Sequence, residues 1–322
     1  MDSESQFLEK ARAHWTPERE RKLTAGRRYP ILPSEAALLL RHIGLLNGDG
    51  SMSADSVRKY QQINHMVTLL EPFFLDLSKR FSPVRLLDSG CGSSYLTFLL
   101  AWCFKHRWHA TAQIVGVDSN AQLIEKCIKT AGATGLSDML RFVTCNLREL
   151  EWDAMLAQSF GDGAVGRPNA VVALHACDVA TDWALGVALS AKSDFIAVAP
   201  CCQAELARKL SEPGALAELA GSGLASLLGV PNLRRDAAAV VTDTLRLLLL
   251  RGSGYEVTAT EFVASQHTAK NRLILAERRG NYWDPALAEY AALKKIVANV
   301  SITLEDRLPE NVKSRLGLQG GP

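Results

Sequence analysis

The chain predicts an α/β fold, a parallel sheet with helices on both faces, and three observations carry that reading. From Val84 onward, short apolar runs alternate with stretches of helical spacing, the pattern of strands joined by crossover helices. A glycine-rich turn, Gly90-Cys91-Gly92, follows the first run and opens a helical stretch. Before residue 80 there is no such alternation, only helical spacing punctuated by Gly26, Pro30, Pro33, Gly48 and Gly50.

In chain order, Ser34-Glu35 opens a helical run from Ala36 to Leu46. Ser56 to Leu70 makes another, ending near Pro72 because proline lacks the backbone donor a helix needs. Strands are expected at 84–88, 113–117, 140–144, 169–174 and 193–199, with helices near 95–106, 120–131 and 180–190. Residues 203–229 read as extra helices broken by Pro213, Gly221 and Gly223. A longer helix from about 234 ends at Arg251-Gly252, with the glycine as its C-cap. Tyr255 to Val263 and Arg272 to Arg278 form a terminal strand pair. The end, with Gly317, Gly320, Gly321 and Pro322, is expected to be loose.

The 322 residues suffice for a large core, and 48% hydrophobic against 22% charged residues is the balance of a soluble globular protein. A net charge of +2 does not by itself call for a nucleic-acid partner. Within residues 10–28, however, Lys10, Arg12, Arg19, Arg21, Lys22, Arg27 and Arg28 cluster. That segment is either a solvated helix face or a set of phosphate contacts to RNA. The seven cysteines fall mostly in or beside apolar runs, which predicts reduced thiols rather than a disulfide framework. No signal peptide or membrane-length apolar run is visible, so a cytoplasmic location and no membrane partner are expected.

Asp88 decides what the glycine turn holds. A turn between strand and helix brings backbone N–H groups and a positive helix end to a ligand. An acid just before the first glycine repels a pyrophosphate and welcomes an ammonium or sulfonium, and S-adenosylmethionine (SAM) carries both. The dinucleotide pattern G-x-G-x-x-G also fails, because its third glycine falls at Tyr95. Asp118-Ser119 ends the second strand, where an acid accepts both ribose hydroxyls of an adenosyl group. The expected cofactor is therefore SAM, with Asp88, Ser89, Gly90, Cys91, Gly92, Asp118 and Ser119 around it.

The other strand tips also carry unusual residues. Strand three delivers Cys145-Asn146-Leu147, strand four Leu174-His175-Ala176-Cys177-Asp178, and strand five Ala199-Pro200-Cys201-Cys202-Gln203. The carboxyl ends of parallel strands are where such folds place their ligands.

Taken together these residues resemble a class I, Rossmann-like SAM-dependent methyltransferase over roughly residues 55–280. Asp88-x-Gly90-x-Gly92 is similar to that family's first motif, with Ser94 in place of its third glycine. The resemblance places Asn146, Leu147 and His175 beside the cofactor. It is finest to bacterial relatives of the eukaryotic tRNA acceptor-stem 2′-O-methyltransferases. The marks are the stretch from Leu174 to Asp182, Pro200-Cys201-Cys202-Gln203, His267-Thr268-Ala269-Lys270-Asn271, and the stretch from Lys59 to His65. The resemblance implies a helical N-terminal extension (1–80) and a methyltransferase domain (81–280). In that domain the sheet is mostly parallel with its last strand antiparallel, and a C-terminal helical tail (281–322) follows. It implies methyl transfer to RNA, tRNA foremost, with protein or a small molecule as other acceptors, or a non-catalytic SAM-binding factor.

The catalytic candidates are His175, Asp178 and Cys201. His175 serves as general base, as a wall of the adenosyl pocket, or as a core residue. Asp178 orients an acceptor, binds the SAM ammonium, or starts a helix. Cys201, after Pro200, invites a covalent role, although the known cysteine of that kind sits at strand four. His175, Cys177, Cys201 and Cys202 have the chemistry of metal ligands, but the C-x-x-C spacing is absent, so no metal is assigned. Lys59, Tyr60 and Gln62 either cover the methionine end of SAM or belong to a packing helix.

Overall fold

Caps and buried stripes set the helices of the first half of the chain. The structure, a computed structural model, describes residues 3–174, 176–262 and 272–318. Two compact units are present, residues 1–146 with 153–166, and residues 147–152 with 167–322.

The first unit opens with α1 (Ser3–His14), α2 (Pro17–Thr24), α3 (Ala37–His42) and α4 (Ala54–Arg80). Thr16 caps α2 by accepting from the Arg19 N–H, with Pro17 in the first turn. Ser53 caps α4 through the Ser56 N–H. α3 is shorter than the sequence spacing suggests. Gly44 turns left-handed at φ 77°, and the Leu45 N–H returns to the Leu40 carbonyl, a glycine stop for a helix. α4 is longer, running through Pro72 for 27 residues. One lost helical bond and the ring clash cost about 3 kcal/mol. Burying Phe74 and Leu77 beyond the proline returns roughly 1.5–3 kcal/mol each, so packing overrides the local break. Phe74 stacks on Trp108 and meets Phe104 edge-on.

The same unit continues with β1 (Val84–Ser89), α5 (Tyr95–His106), β2 (Ala112–Asp118), α6 (Ala121–Ala133), β3 (Leu140–Thr144) and α7 (Trp152–Phe160). β1 and β2 are parallel from Val84↔Ala112 to Ser89↔Val117, and β2 and β3 from Ile114↔Leu140 to Asp118↔Thr144. Asp88 thus lies opposite Gly116. A Cβ there would come within 2.6 Å of the Phe142 ring. Gly116→Ala is therefore expected to lower the unfolding free energy by about 1–3 kcal/mol, read as a lower urea midpoint at unchanged slope. α7 has no counterpart in the expected elements. Its helical stripe is only nine residues long and its buried side chains are Trp152, Met155 and Leu156.

The second unit holds β4 (Ala170–Ala173), α8 (Val179–Ser190), β5 (Phe195–Val198), α9 (Ala204–Lys209), α10 (Pro213–Leu219), α11 (Ala225–Gly229) and α12 (Pro231–Gly252). β6 (Tyr255–Glu261), β7 (Arg272–Arg278), α13 (Asp284–Ile296), α14 (Thr303–Asp306) and α15 (Glu310–Leu316) follow. β4 and β5 are parallel, and β7 runs antiparallel to both β5 and β6. Within the first unit the strand order is β3-β2-β1, and within the second it is β4-β5-β7-β6. This is the mostly parallel α/β sheet with an antiparallel last strand that the sequence predicts.

Gly252 departs from its expected role. It is the last helical residue of α12, with Ser253 as the cap, and a Cβ on it would lie 2.1 Å from Leu287 of α13. Close helix approach, not a left-handed stop, is what requires glycine there. Val263, the segment His267 to Asn271, and Gly320, Gly321 and Pro322 lie outside the described residues.

Candidate functional site

In the first unit the turn after β1 is left-handed at three places, Gly90 (φ 69°), Gly92 (φ 54°) and Ser94 (φ 56°). Ser94 adopts, at the N-cap of α5, a conformation that disfavours any residue with a Cβ. The turn is tied down by its surroundings. The Cys91 N–H donates to the Val117 carbonyl at 2.9 Å. Asp118 accepts from the Gly92 N–H through Oδ2 and from the Asn120 N–H through Oδ1, both at 2.9 Å. One carboxylate therefore joins the glycine turn to the start of α6.

Asp88 is buried and accepts a short hydrogen bond from the Thr97 hydroxyl of α5. It does not cap α5. Burial pushes its carboxyl up to about 7, opposed by the Thr97 bond and aided by the nearby Asp118 charge. Without a cation beside it, Asp88 is thus divided between acid and carboxylate near neutral pH. Thr97 escaped the sequence reading because a threonine inside an apolar helix carries no signal of its own. Ser89 and Cys91 are buried. Ser119 and Asn146 are exposed and Leu147 is half-buried.

The helix before β1 is a packing element. Tyr60 is fully buried and its hydroxyl donates to the Ile31 carbonyl at 2.6 Å. Asn64 accepts from the Ile31 N–H at 3.1 Å. Lys59 lies over the Tyr95 ring, 5.6 Å from its centroid.

In the second unit the loops after β4 and β5 are bound to each other. The Asp178 N–H donates to the Cys202 carbonyl at 3.0 Å. Asp178 Oδ1 accepts from the Ala204 and Glu205 N–H groups at 2.9 and 3.0 Å. That carboxylate caps α9, not the α8 helix that follows it. Asp178 itself has φ 53° and ψ −119°, a conformation held only where the surroundings impose it. His175 lies outside the described residues.

A buried charge network backs these loops. Arg246 of α12 donates to Asp182 at 2.6 Å, to Asp243 at 3.3 Å and to the Asp178 carbonyl at 3.0 Å. Asp243 also accepts from Gln203 at 3.1 Å and from Arg272 at 2.5 Å. Arg246 was legible only as a lone cation in the apolar run Leu245-Arg246-Leu247-Leu248. Asp243 lies one turn away on α12 itself, but Asp182 is on α8 and Asp178 just before it.

Cys177 Sγ is 2.7 Å from Cys201 Sγ. Burial and the adjoining Cys177 thiol push the Cys201 thiol up to about 12. A thiol held protonated is a poor nucleophile. Beside Pro200 and Gln203 opens a cavity of about 400 Å³, bordered by Asp236, Asp243, Glu261 and Arg272.

Residues 58–209 match the family model described as a methyltransferase domain. The glycine turn and its two acids, Asp88 and Asp118, lie within that matched segment. A mouse (Mus musculus) glutathione S-transferase C-terminal domain-containing protein is 26% identical over 155 residues, 48% of this chain and 20% of that protein. The match thus spans about a fifth of that relative's length. Among solved structures, the magnesium protoporphyrin IX methyltransferase of Synechocystis PCC 6803 with bound S-adenosylhomocysteine is 17% identical, with TM-score 0.40, covering 76% of this chain and 95% of that one. The METTL16 methyltransferase domain is 14% identical with TM-score 0.42, covering 76% and 78%. The human methyltransferase 10 domain containing protein is 14% identical with TM-score 0.41, covering 82% and 98%. Among the described residues no helix is long and apolar enough to cross a membrane.

Proposed function

We propose that the chain transfers the methyl group of SAM to RNA, tRNA foremost. The observation that carries the choice of acceptor is the basic segment. Lys10, Arg12, Arg19, Arg21, Lys22, Arg27 and Arg28 are all exposed, on α1, α2 and the turn after them. Phe7, Ala11, Trp15 and Leu23 anchor these helices from below. Lys22 pairs with Glu18 at 2.9 Å, and both partners are so exposed that the pair is weak. Cations fixed on folded helices suit a phosphate backbone.

In this reading the donor is held by the first unit. Asp88 takes the ammonium of the methionine end, and Asp118 keeps lone pairs for the ribose hydroxyls beyond those given to Gly92 and Asn120. Transfer is an in-line displacement at the sulfonium carbon, and alignment of the two substrates supplies roughly 7–11 kcal/mol where it is good. Asp178 positions the loop after β4 instead of touching the acceptor, because its carboxylate caps α9. His175 is the residue left to take a proton from the acceptor.

A second reading, a small-molecule acceptor, is favoured by the 400 Å³ cavity beside Gln203, a volume in the range of small-molecule pockets. Incubation with methyl-labelled SAM and a lysate lacking the enzyme separates the two. Label sensitive to nuclease supports RNA. Label sensitive to protease, or found only in small molecules, rejects it. Arg27→Glu with Arg28→Glu is expected to reduce labelling of RNA severalfold and leave SAM affinity unchanged. Asp118→Ala is expected to weaken SAM binding by at least about tenfold, the loss of one or two charge-assisted hydrogen bonds, measured by calorimetry.

A further inference from the structure

We propose that Cys177, Cys201 and Cys202 form a thiolate site for a borderline-soft divalent metal, zinc foremost. The three sulfurs lie within 4.8 Å of one another. Cys177 comes from the loop after β4 and the other two from the loop after β5, so no local spacing reveals the set. In a tetrahedral zinc site, sulfurs about 2.3 Å from the metal stand about 3.8 Å apart. Cys177 and Cys201, now at 2.7 Å, need to part by about one ångström to reach that spacing. Rotation about the Cα–Cβ bonds can supply shifts of this size.

The loops that carry the thiols are fixed in advance. Asp178 bonds to the Cys202 carbonyl and to both N–H groups at the start of α9. The Thr181 hydroxyl donates to the Ala176 carbonyl at 2.6 Å, and the Gln203 amide reaches the Pro200 carbonyl at 3.3 Å. Arg246 holds the Asp178 carbonyl from the buried side. Residues on both sides of each cysteine are thereby restrained, as a metal site requires of its outer contacts. Cys91, Cys103 and Cys127 are buried separately in the first unit. Cys177 is exposed and its two partners half-buried, so ions have access and the fourth position opens to water, the three-ligand form of zinc site. On binding, three S–H protons leave to solvent and three metal–sulfur bonds form.

The test uses the full chain, purified under a non-chelating phosphine reductant. Elemental analysis is expected to find about one zinc per chain after zinc reconstitution and desalting. Cobalt(II) in place of zinc is expected to give thiolate-to-metal charge-transfer absorption in the near ultraviolet and tetrahedral bands in the visible. Cys177→Ser, Cys201→Ser and Cys202→Ser should each lower the retained metal at least about tenfold, while Cys145→Ser should keep it. The wild-type cobalt spectrum stands even if a variant fails to fold. Wild-type protein that retains no metal overturns the proposal, as does a cobalt spectrum without thiolate bands. So does metal retained by the Cys177→Ser, Cys202→Ser double variant. A Cys177–Cys201 disulfide in the reduced preparation, found by mass spectrometry, also overturns it.

Discussion

Arg246→Ala is expected to lower the unfolding free energy by about 3–5 kcal/mol. Arg246 is fully buried, and so is Asp182, with Asp243 nearly so. Truncation leaves Asp182 buried without its guanidinium, and Asp243 with only Gln203 and the half-exposed Arg272. An unpaired buried carboxylate costs far more than an exposed pair contributes. The sign with pH follows from burial, which already raises the Asp182 carboxyl above its ordinary range against the pull of Arg246. Without Arg246 that rise grows. A group whose folded pKa is raised favours the fold while protonated and loses that contribution as pH rises through the folded value. The loss from Arg246→Ala is therefore smaller in acid and larger in alkali. Urea unfolding at about pH 5 and about pH 8 measures it. A companion Asp182→Leu, Arg246→Met chain, with no buried charge on either side, is expected to recover part of the loss. A single-variant loss below about 1 kcal/mol at both pH values contradicts the account.

Asp88 is expected to make SAM binding pH-dependent, and Asp88→Asn to remove that dependence. With its carboxyl near 7 in the free protein, a ligand ammonium that needs the carboxylate form binds roughly tenfold tighter at about pH 8 than at about pH 6. Stability of the free protein moves the other way. The contribution of protonated Asp88 is complete below its unfolded value near 3.8 and is lost as pH rises through about 7. The rise in melting midpoint on adding SAM should therefore grow with pH over that window. In Asp88→Asn the growth should vanish and affinity at alkaline pH fall about ten- to hundredfold, the worth of a charge-assisted bond. Calorimetry across pH reads both. A wild-type affinity that is flat from about pH 6 to about pH 8 removes Asp88 from the ammonium site.

Much of the architecture was legible because its signals are local. Apolar runs of strand length, Asp88 and Asp118 at their ends, and the glycines between them follow from chain order alone. So does the start of α5 at Tyr95, since the turn residues just before it require left-handed backbone. Boundaries depart from the local signal where packing opposes it. Pro72 should end a helix, yet Phe74 and Leu77 keep it going. Gly252 carries the local signal of a helix stop and is instead the point where Leu287 comes close. α7 was missed because a short amphipathic stripe does not separate from a loop by periodicity.

Chain order alone carries the alternating fold and the glycine turn between two acids, because each rests on neighbours within a few residues. Tertiary structure alone decided what residues distant in the chain do together. It gave Asp178 to the cap of α9, Arg246 to Asp182 across 64 positions, and Cys177 to Cys201 across 24. The physical reason is that burial energies and ion pairing depend on who meets whom in space. The chain order of their side chains carries no record of that meeting.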